Sequence, residues 1–295
     1  MTQINEYLNI AISLDIDPDA NTAVEGRHDA LSASFNGKVC IKACKKGLQK
    51  ILELLDVYDI ESTLFYEART AQMLLTDRMD LPELSERHEV SCHSLKHEDF
   101  LGRVSGMPME ENHIEETIIE AREILEKMFG RNIRSFRAPY TRINHTMVKV
   151  LERLGLQYDS SETRAMDAEW GCKPFPLEVF DSNLLEAALP ILHDEKGKKM
   201  STYLWAIFEG KRVHGEHINA VLQAKEAAKG GLFIFSIHPW HLYVDCQGNP
   251  FSREQVKKNL ANLEYILSQL KQLHGIQILR QDKYMESWLE EKGPN

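Results

Sequence analysis

The chain has 295 residues, 43% of them hydrophobic, enough for one large core or two small ones. Lysine and arginine total 35 against 45 aspartates and glutamates, a net charge of −10, which leaves no domain-wide basic field to hold nucleic acid or anionic lipid. No apolar run approaches the roughly 20 residues of a spanning helix, the N-terminus lacks a signal-peptide pattern, and the cysteines are scattered without a CxxC; these features set the expectation of a soluble, cytoplasmic protein with reduced thiols, no membrane span and no nucleic-acid partner.

Residues 9–16 read as a buried strand, and from Ile41 the apolar positions Cys44, Leu48, Ile51, Leu52 and Leu55 recur at helical spacing. Short strands are expected at 62–66 and 89–92, then a helix over 110–129 stopped by Gly130. A strand over 133–136, a helix over 144–154 and a strand over 157–159 follow, with another strand at 177–180. Helical patterns fill 199–208 and 216–228. The most apolar strand is 232–238, and Ser252 with Gln255 forms a capping box that opens a helix running to Leu273. A strand over 276–279 and a terminal helix close the chain. This alternation argues a parallel sheet with right-handed crossovers, either a closed β/α barrel or an open doubly wound sheet. No linker or internal repeat divides it, so the expectation is one domain over 1–295, with long loops at 18–39, 98–109, 160–176 and 239–250. Such loops gather at the C-terminal edge of the strands, where chemistry is built.

Several residues at those strand ends carry chemical potential. His93 and His97 stand four apart after the strand 89–92, a spacing that on a helical turn would put both imidazoles on one face. Alone the pair is weak, because 12 histidines make such spacings common by chance. Another strand end, SLDIDPD, delivers Asp15, Asp17 and Asp19. Two histidines and one aspartate leave a coordination position open for water, as catalytic zinc sites do, and a neighbouring carboxylate outside the coordination shell can serve as general base. Arg137-Ala138-Pro139-Tyr140 follows a further strand, its proline biasing Ala138 towards extended geometry. Asp159 and His238 end two more strands; taken singly, each reads as a cap or turn residue. A barrel would bring all five strand ends into one ring.

The ordered series SLDIDPD, EVSCHSLKH, RAPY, YDSS and FSIH resembles the five motifs of the polysaccharide deacetylase family, also called the NodB-homology family or carbohydrate esterase family four. The resemblance runs from about residue 10 to 279. It implies an irregular (β/α) barrel of the NodB-homology, glycoside hydrolase/deacetylase type and metal-assisted hydrolysis of an acyl group. It implies Asp15 as general base, Asp17, His93 and His97 as metal ligands, and Arg137 as the cation that keeps Asp15 ionised. By the same resemblance Tyr140 supplies a backbone N–H for the oxyanion, His238 is the general acid, and Asp159 orients His238 and raises its pKa. The metal implied is divalent, zinc first, with cobalt or another transition metal as alternatives.

The departures bear on substrate. Ile16 separates Asp15 from Asp17, a spaced D-x-D form that resembles a branch with peptidoglycan-deacetylase-like proteins, lipid-linked sugar deformylases and allantoinase-like enzymes. Phe235 stands where a leucine lining the acyl pocket is usual, and the tryptophan that commonly follows the fourth-motif aspartate is missing, Trp170 being too distant to take its place. The extra length over 160–231 is expected to build a substrate wall or a homo-oligomer interface. His214 and His217 read as surface residues of a helix, and Trp240, His241 and Tyr243 as either sugar-stacking groups or an ordinary aromatic loop. The leading expectation is a metal-dependent hydrolase of a non-peptide C–N bond, a carbohydrate N-deacetylase or deformylase acting on a carbohydrate or small molecule. A cyclic amide or ureide hydrolase and a catalytically silent sugar-binding protein are the alternatives.

Overall fold

Strand β1 (Leu8–Ile16) is buried at every position, yet its two faces are different. In the computed structural model, which describes residues 4–30, 39–165, 172–194 and 196–292, Leu8, Ile10, Ile12, Leu14 and Ile16 join the main apolar cluster with the helices. The alternate positions Asn9, Ala11, Ser13 and Asp15 take the other face, as the two-residue period of a strand requires. Trp170 and parts of the loops 18–39 and 160–176 lie outside the described residues.

The chain continues through α1 (Lys42–Val57), β2 (Thr63–Tyr66), α2 (Ala68–Thr76), α3 (Leu81–Leu84), β3 (Glu89–Cys92), α4 (Glu111–Phe129), β4 (Ser135–Phe136), α5 (His145–Arg153) and β5 (Tyr158–Asp159). Five short strands follow: β6 (Thr163–Ala165), β7 (Phe175–Pro176), β8 (Leu185–Glu186), β9 (Leu189–His193) and β10 (Lys199–Ser201). Then come α6 (Trp205–Phe208), α7 (His214–Ala227), β11 (Leu232–Ile237), α8 (Arg253–Gln272), β12 (Ile276–Ile278) and α9 (Gln281–Lys292).

Nine strands form one sheet in the order β11-β1-β2-β3-β4-β5-β8-β7, with β12 also pairing β1. All its ladders are parallel except β7 with β8. The sheet curls into an incomplete barrel, as expected for the irregular (β/α) type. A second sheet, β10-β9-β6, lies beside it, and the backbone after β10 runs along β11: Ser236 N–H donates to Thr202 O at 3.2 Å and Leu204 N–H to Ser236 O at 3.0 Å. Residues 202–204 therefore line the seam of the barrel.

The barrel interior is polar at both ends. Near the N-terminal end, Glu89 accepts from Tyr158 OH at 2.6 Å, Thr63 and Ser135 hydroxyls at 2.8 Å and the Asp282 N–H at 3.1 Å, which ties α9 to the barrel floor. Near the other end the Ser13 and Ser236 hydroxyls pair at 2.8 Å. Asp19, third carboxylate of SLDIDPD, is spent on structure: it accepts from the Ala43 and Cys44 N–H groups at 2.9 and 2.7 Å, satisfying the open first turn of α1. Gly130 ends α4 in the left-handed region at φ 64°, and Ser252 caps α8 by accepting from Gln255 N–H.

Some local expectations give way to tertiary structure. Residues 199–208, patterned as a helix, split into β10 and the short α6, because pairing with β9 and β11 outweighs helical propensity there. Residues Glu178–Phe180 form a 3-10 turn rather than a strand, and α2 and α3 arise where no helix was expected. His214 is half-buried, as on a helix surface, but His217 is fully buried on α7, its Nε2 near Ser201 O at 3.3 Å. Among the described residues no helix is long and apolar enough to cross a membrane, and Cys40, Cys44, Cys92 and Cys246 are free thiols.

Burial pushes the imidazoles of His217 and His88 down to about 4. The unfolded chain takes up those protons near pH 6.5 while the folded protein refuses them until about pH 4, so stability falls as pH drops through that window. Urea unfolding at pH 7, 6 and 5 is expected to show a declining midpoint, each histidine contributing at most about 3 kcal/mol. His88→Asn, which keeps an acceptor towards Ser62, should flatten the decline; an unchanged slope would assign it to other groups.

Candidate active site

The C-terminal ends of β1, β3, β4 and β11 meet around a cavity of about 400 Å³ lined by Asp15, Asp17, His93, His97, Tyr140, Tyr203, His238 and Trp240 among others. Arg137 organises the floor. It is fully buried and sits 4.0 Å above the Phe65 ring. One guanidinium nitrogen donates to Asp15 Oδ1 at 2.7 Å, to Ser13 Oγ at 2.9 Å and to Ser236 Oγ at 3.1 Å, while the other two reach Ser160 O and Oγ, each at 2.9 Å. The second oxygen of Asp15 accepts from Tyr203 OH at 2.5 Å. Burial alone would raise the Asp15 pKa, but the Arg137 charge, the nearby His93 and His238, and the Tyr203 hydroxyl hold it well below the usual carboxylate range.

Beside this pair, one ligand atom each from Asp17, His93 and His97 lie within 4.8 Å of one another, all on buried residues. The local hydrogen bonds suit a metal. His93 Nδ1 lies 2.8 Å from Arg137 O, so it carries the proton and leaves Nε2 as a lone-pair donor, and that Nε2 is buried without a hydrogen-bond partner. Asp17 Oδ1 accepts from Trp240 Nε1–H at 2.8 Å, while Oδ2 faces His97 Nε2 at 3.4 Å. Burial lowers the pKa of both histidines, helped for His97 by its imidazole neighbours, and so keeps them in the neutral form that ligates. Burial and the adjacent Asp15 push Asp17 well above the usual range, an unfavourable clustering of carboxylates that a bound cation relieves.

His238 Nε2 stands 3.9 Å from Asp15 Oδ2 and 3.9 Å from Asp17 Oδ2. Burial pushes its pKa down to about 4 against the pull of Asp15. Its ring lies against two aromatic neighbours, Tyr203 at 5.2 Å between centroids and 20° between planes, and Trp240 at 5.2 Å and 38°. Tyr140 sits in the left-handed region at φ 61°, followed by Thr141 at 51°; its hydroxyl accepts from the Ala23 N–H at 2.8 Å and its ring meets that of His97 edge-on. Two more non-glycine residues, Ser94 and His97, are also left-handed, so strained backbone gathers in the two loops that frame the cavity.

Asp159 is the expected site residue that the structure does not bring in. Its register partners are Phe136 and Glu186, both on the opposite face from Ser135 and Tyr158, so strand alternation turns it away from the cavity. Asp159 instead accepts from Ser161 Oγ at 2.8 Å, and that hydroxyl accepts the Ala138 N–H at 2.7 Å. Its contact with the site is indirect, through the RAPY turn, and Tyr203 and Trp240 are the groups that flank His238. Phe235 likewise lies among the outer apolar residues, with Phe233 and His217 as ring neighbours, and does not line the cavity. Tyr203 had no sequence signal: it lies in an irregular stretch, brought to the site only by closure of the barrel seam. Trp240 was visible as an aromatic beside His238, but its bond to Asp17 was not.

Residues 35–158 match the family model described as polysaccharide deacetylase. No curated protein matches the chain. Among solved structures, the chain is similar to a putative polysaccharide deacetylase from Mycobacterium smegmatis, at 18% identity and TM-score 0.67, covering 99% of this chain and 93% of that one. It is similar to Puue allantoinase at 16% identity and TM-score 0.63, covering 100% and 94%. A probable polysaccharide deacetylase from Pseudomonas aeruginosa PAO1 aligns at 16% identity and TM-score 0.62, covering 98% and 93%. At these identities the structural likeness speaks for the fold.

Proposed function

We propose that this chain, whose residues 35–158 belong to the polysaccharide deacetylase family, removes an N-acetyl or N-formyl group from a carbohydrate with the help of a divalent metal. The family is one of hydrolases acting on carbon–nitrogen bonds other than peptide bonds. The observation that carries the reading is the convergence of Asp17, His93 and His97 beside Asp15 and His238 in one cavity.

Asp17, His93 and His97 would hold the cation, whose chemistry is to polarise an amide carbonyl and make water acidic enough to attack near neutral pH. Asp15 takes the proton of the attacking water, its carboxylate kept ionised and oriented by Arg137. His238 delivers a proton to the departing nitrogen, converting a poor leaving group into an amine. At pH 7 the resting His238 is neutral, so it acquires that proton during turnover; Asp15 Oδ2 and Asp17 Oδ2 both stand 3.9 Å from its Nε2, and of the two Asp15 is the one that takes up the proton of water. Water thus supplies hydroxide to the acyl carbon and its proton to the amine, leaving a carboxylate and a free amino group. Aromatic walls from Tyr203, Trp205 and Trp240 suit the apolar face of a sugar ring.

Metal analysis of purified protein, with acetate, formate and ammonia release measured across N-acylated sugars and cyclic amides, tests this directly. Acetate or formate release that vanishes on chelation and returns with zinc or cobalt is expected. Ring opening of a cyclic ureide without acyl release would move the substrate to the cyclic-amide class. His97→Ala is expected to lose metal affinity by at least about 100-fold and activity with it; a variant that keeps full metal content would remove His97 from the ligand set.

A further inference from the structure

Tyr203 touches both groups to which the reaction assigns proton transfer, although no motif contains it. Its hydroxyl donates to Asp15 Oδ2 at 2.5 Å, the oxygen left over by the Arg137 bond to Oδ1 at 2.7 Å. With a donor on each oxygen, the carboxylate plane is fixed, and neither donor alone would prevent its rotation. The same residue's ring stacks on the His238 imidazole at 5.2 Å and 20°.

The backbone explains why this contact is dependable. Tyr203 pairs with Ser236 as an isolated parallel bridge, and hydrogen bonds from Ser236 N–H to Thr202 O and from Leu204 N–H to Ser236 O stitch the segment to β11. His238 follows that strand directly. Tyr203 and His238 are thereby mounted on one hydrogen-bonded unit, while Asp15 belongs to β1, the strand next to it.

We propose that Tyr203 is a positioning residue that holds the base and the acid of the reaction at a fixed separation, its hydroxyl setting Asp15 and its ring setting His238. This rests on the function proposed above. The competing role is a plain wall of the substrate cavity, which Tyr203 also lines. The two roles differ in kinetics: a wall acts on substrate binding and moves KM, whereas positioning acts on the chemical step and moves kcat.

Two substitutions separate hydroxyl from ring, with thermal melts confirming that each variant folds. Tyr203→Phe keeps the stack and removes the donor; kcat is expected to fall about 10-fold with KM within about two-fold and metal content unchanged. Tyr203→Leu removes both, and kcat is expected to fall about 100-fold. In protein carrying labelled histidine, the carbon-bound ring protons of His238 should keep their shifts in the Phe variant and move downfield in the Leu variant as the stacked ring is lost. A KM increase at preserved kcat in Tyr203→Phe overturns the proposal in favour of a wall, as do unmoved His238 signals in Tyr203→Leu. Should the wild-type protein turn over none of the amides tested, the function proposed above fails on its own, and the His238 signals still decide whether Tyr203 holds that ring.

Discussion

Asp15→Asn is expected to reduce kcat by about 10³-fold while the metal content of the protein stays at the wild-type level. The substitution is nearly isosteric. Asparagine's carbonyl oxygen still accepts from Arg137, and the shape of the buried site is retained. What disappears is the capacity of this side chain to take up a proton: an amide is not a base at any accessible pH. The ligands Asp17, His93 and His97 are untouched, so metal analysis should not distinguish this variant from wild type. That contrast with His97→Ala, where metal and turnover fall together, separates the base from a metal ligand. Turnover within about 10-fold of wild type in Asp15→Asn would sink the assignment of Asp15 as base.

The parts of the site legible in the sequence are those in which one strand end carries one role. Asp15, Asp17, His93, Arg137 and His238 all stand at or just beyond ends of β1, β3, β4 and β11, and parallel strands bring such ends to one rim whatever the details of packing. The strand pattern failed at Asp159 for a reason of phase. A two-residue strand offers no alternation to read, and a shift of one residue decides whether a side chain enters the barrel or leaves it. Tyr203 was hidden for a different reason: its position depends on how an irregular stretch closes a barrel seam, a tertiary event without local periodicity. The same event explains why 199–208, patterned as one helix, folds as β10 and the short α6. His217 was misplaced because helical spacing shows which residues share a face but not how deeply α7 packs against Phe235.

The largest loss of stability is expected from Arg137→Met. The wild-type guanidinium is fully buried and satisfies Asp15, Ser13, Ser236 and Ser160 at once. Methionine fills much of the space over Phe65 and donates nothing. Asp15 is then a buried carboxylate without its cation, and removing one partner of such a pair costs about 3–5 kcal/mol because the charge left behind is uncompensated. The carboxylate escapes part of that cost by taking a proton, which also ends its service as a base, so stability and turnover should fall together. Arg137→Lys is expected to recover less than its charge suggests, since an ammonium cannot reproduce the planar fork that reaches both Asp15 and Ser160. The decisive measurement is a double-mutant cycle in urea: Asp15→Asn combined with Arg137→Met should be destabilised by less than the sum of the single changes, because the neutral amide no longer needs the cation. Strict additivity would mean that Arg137 supports the fold through its serine partners alone and that its charge does not hold Asp15.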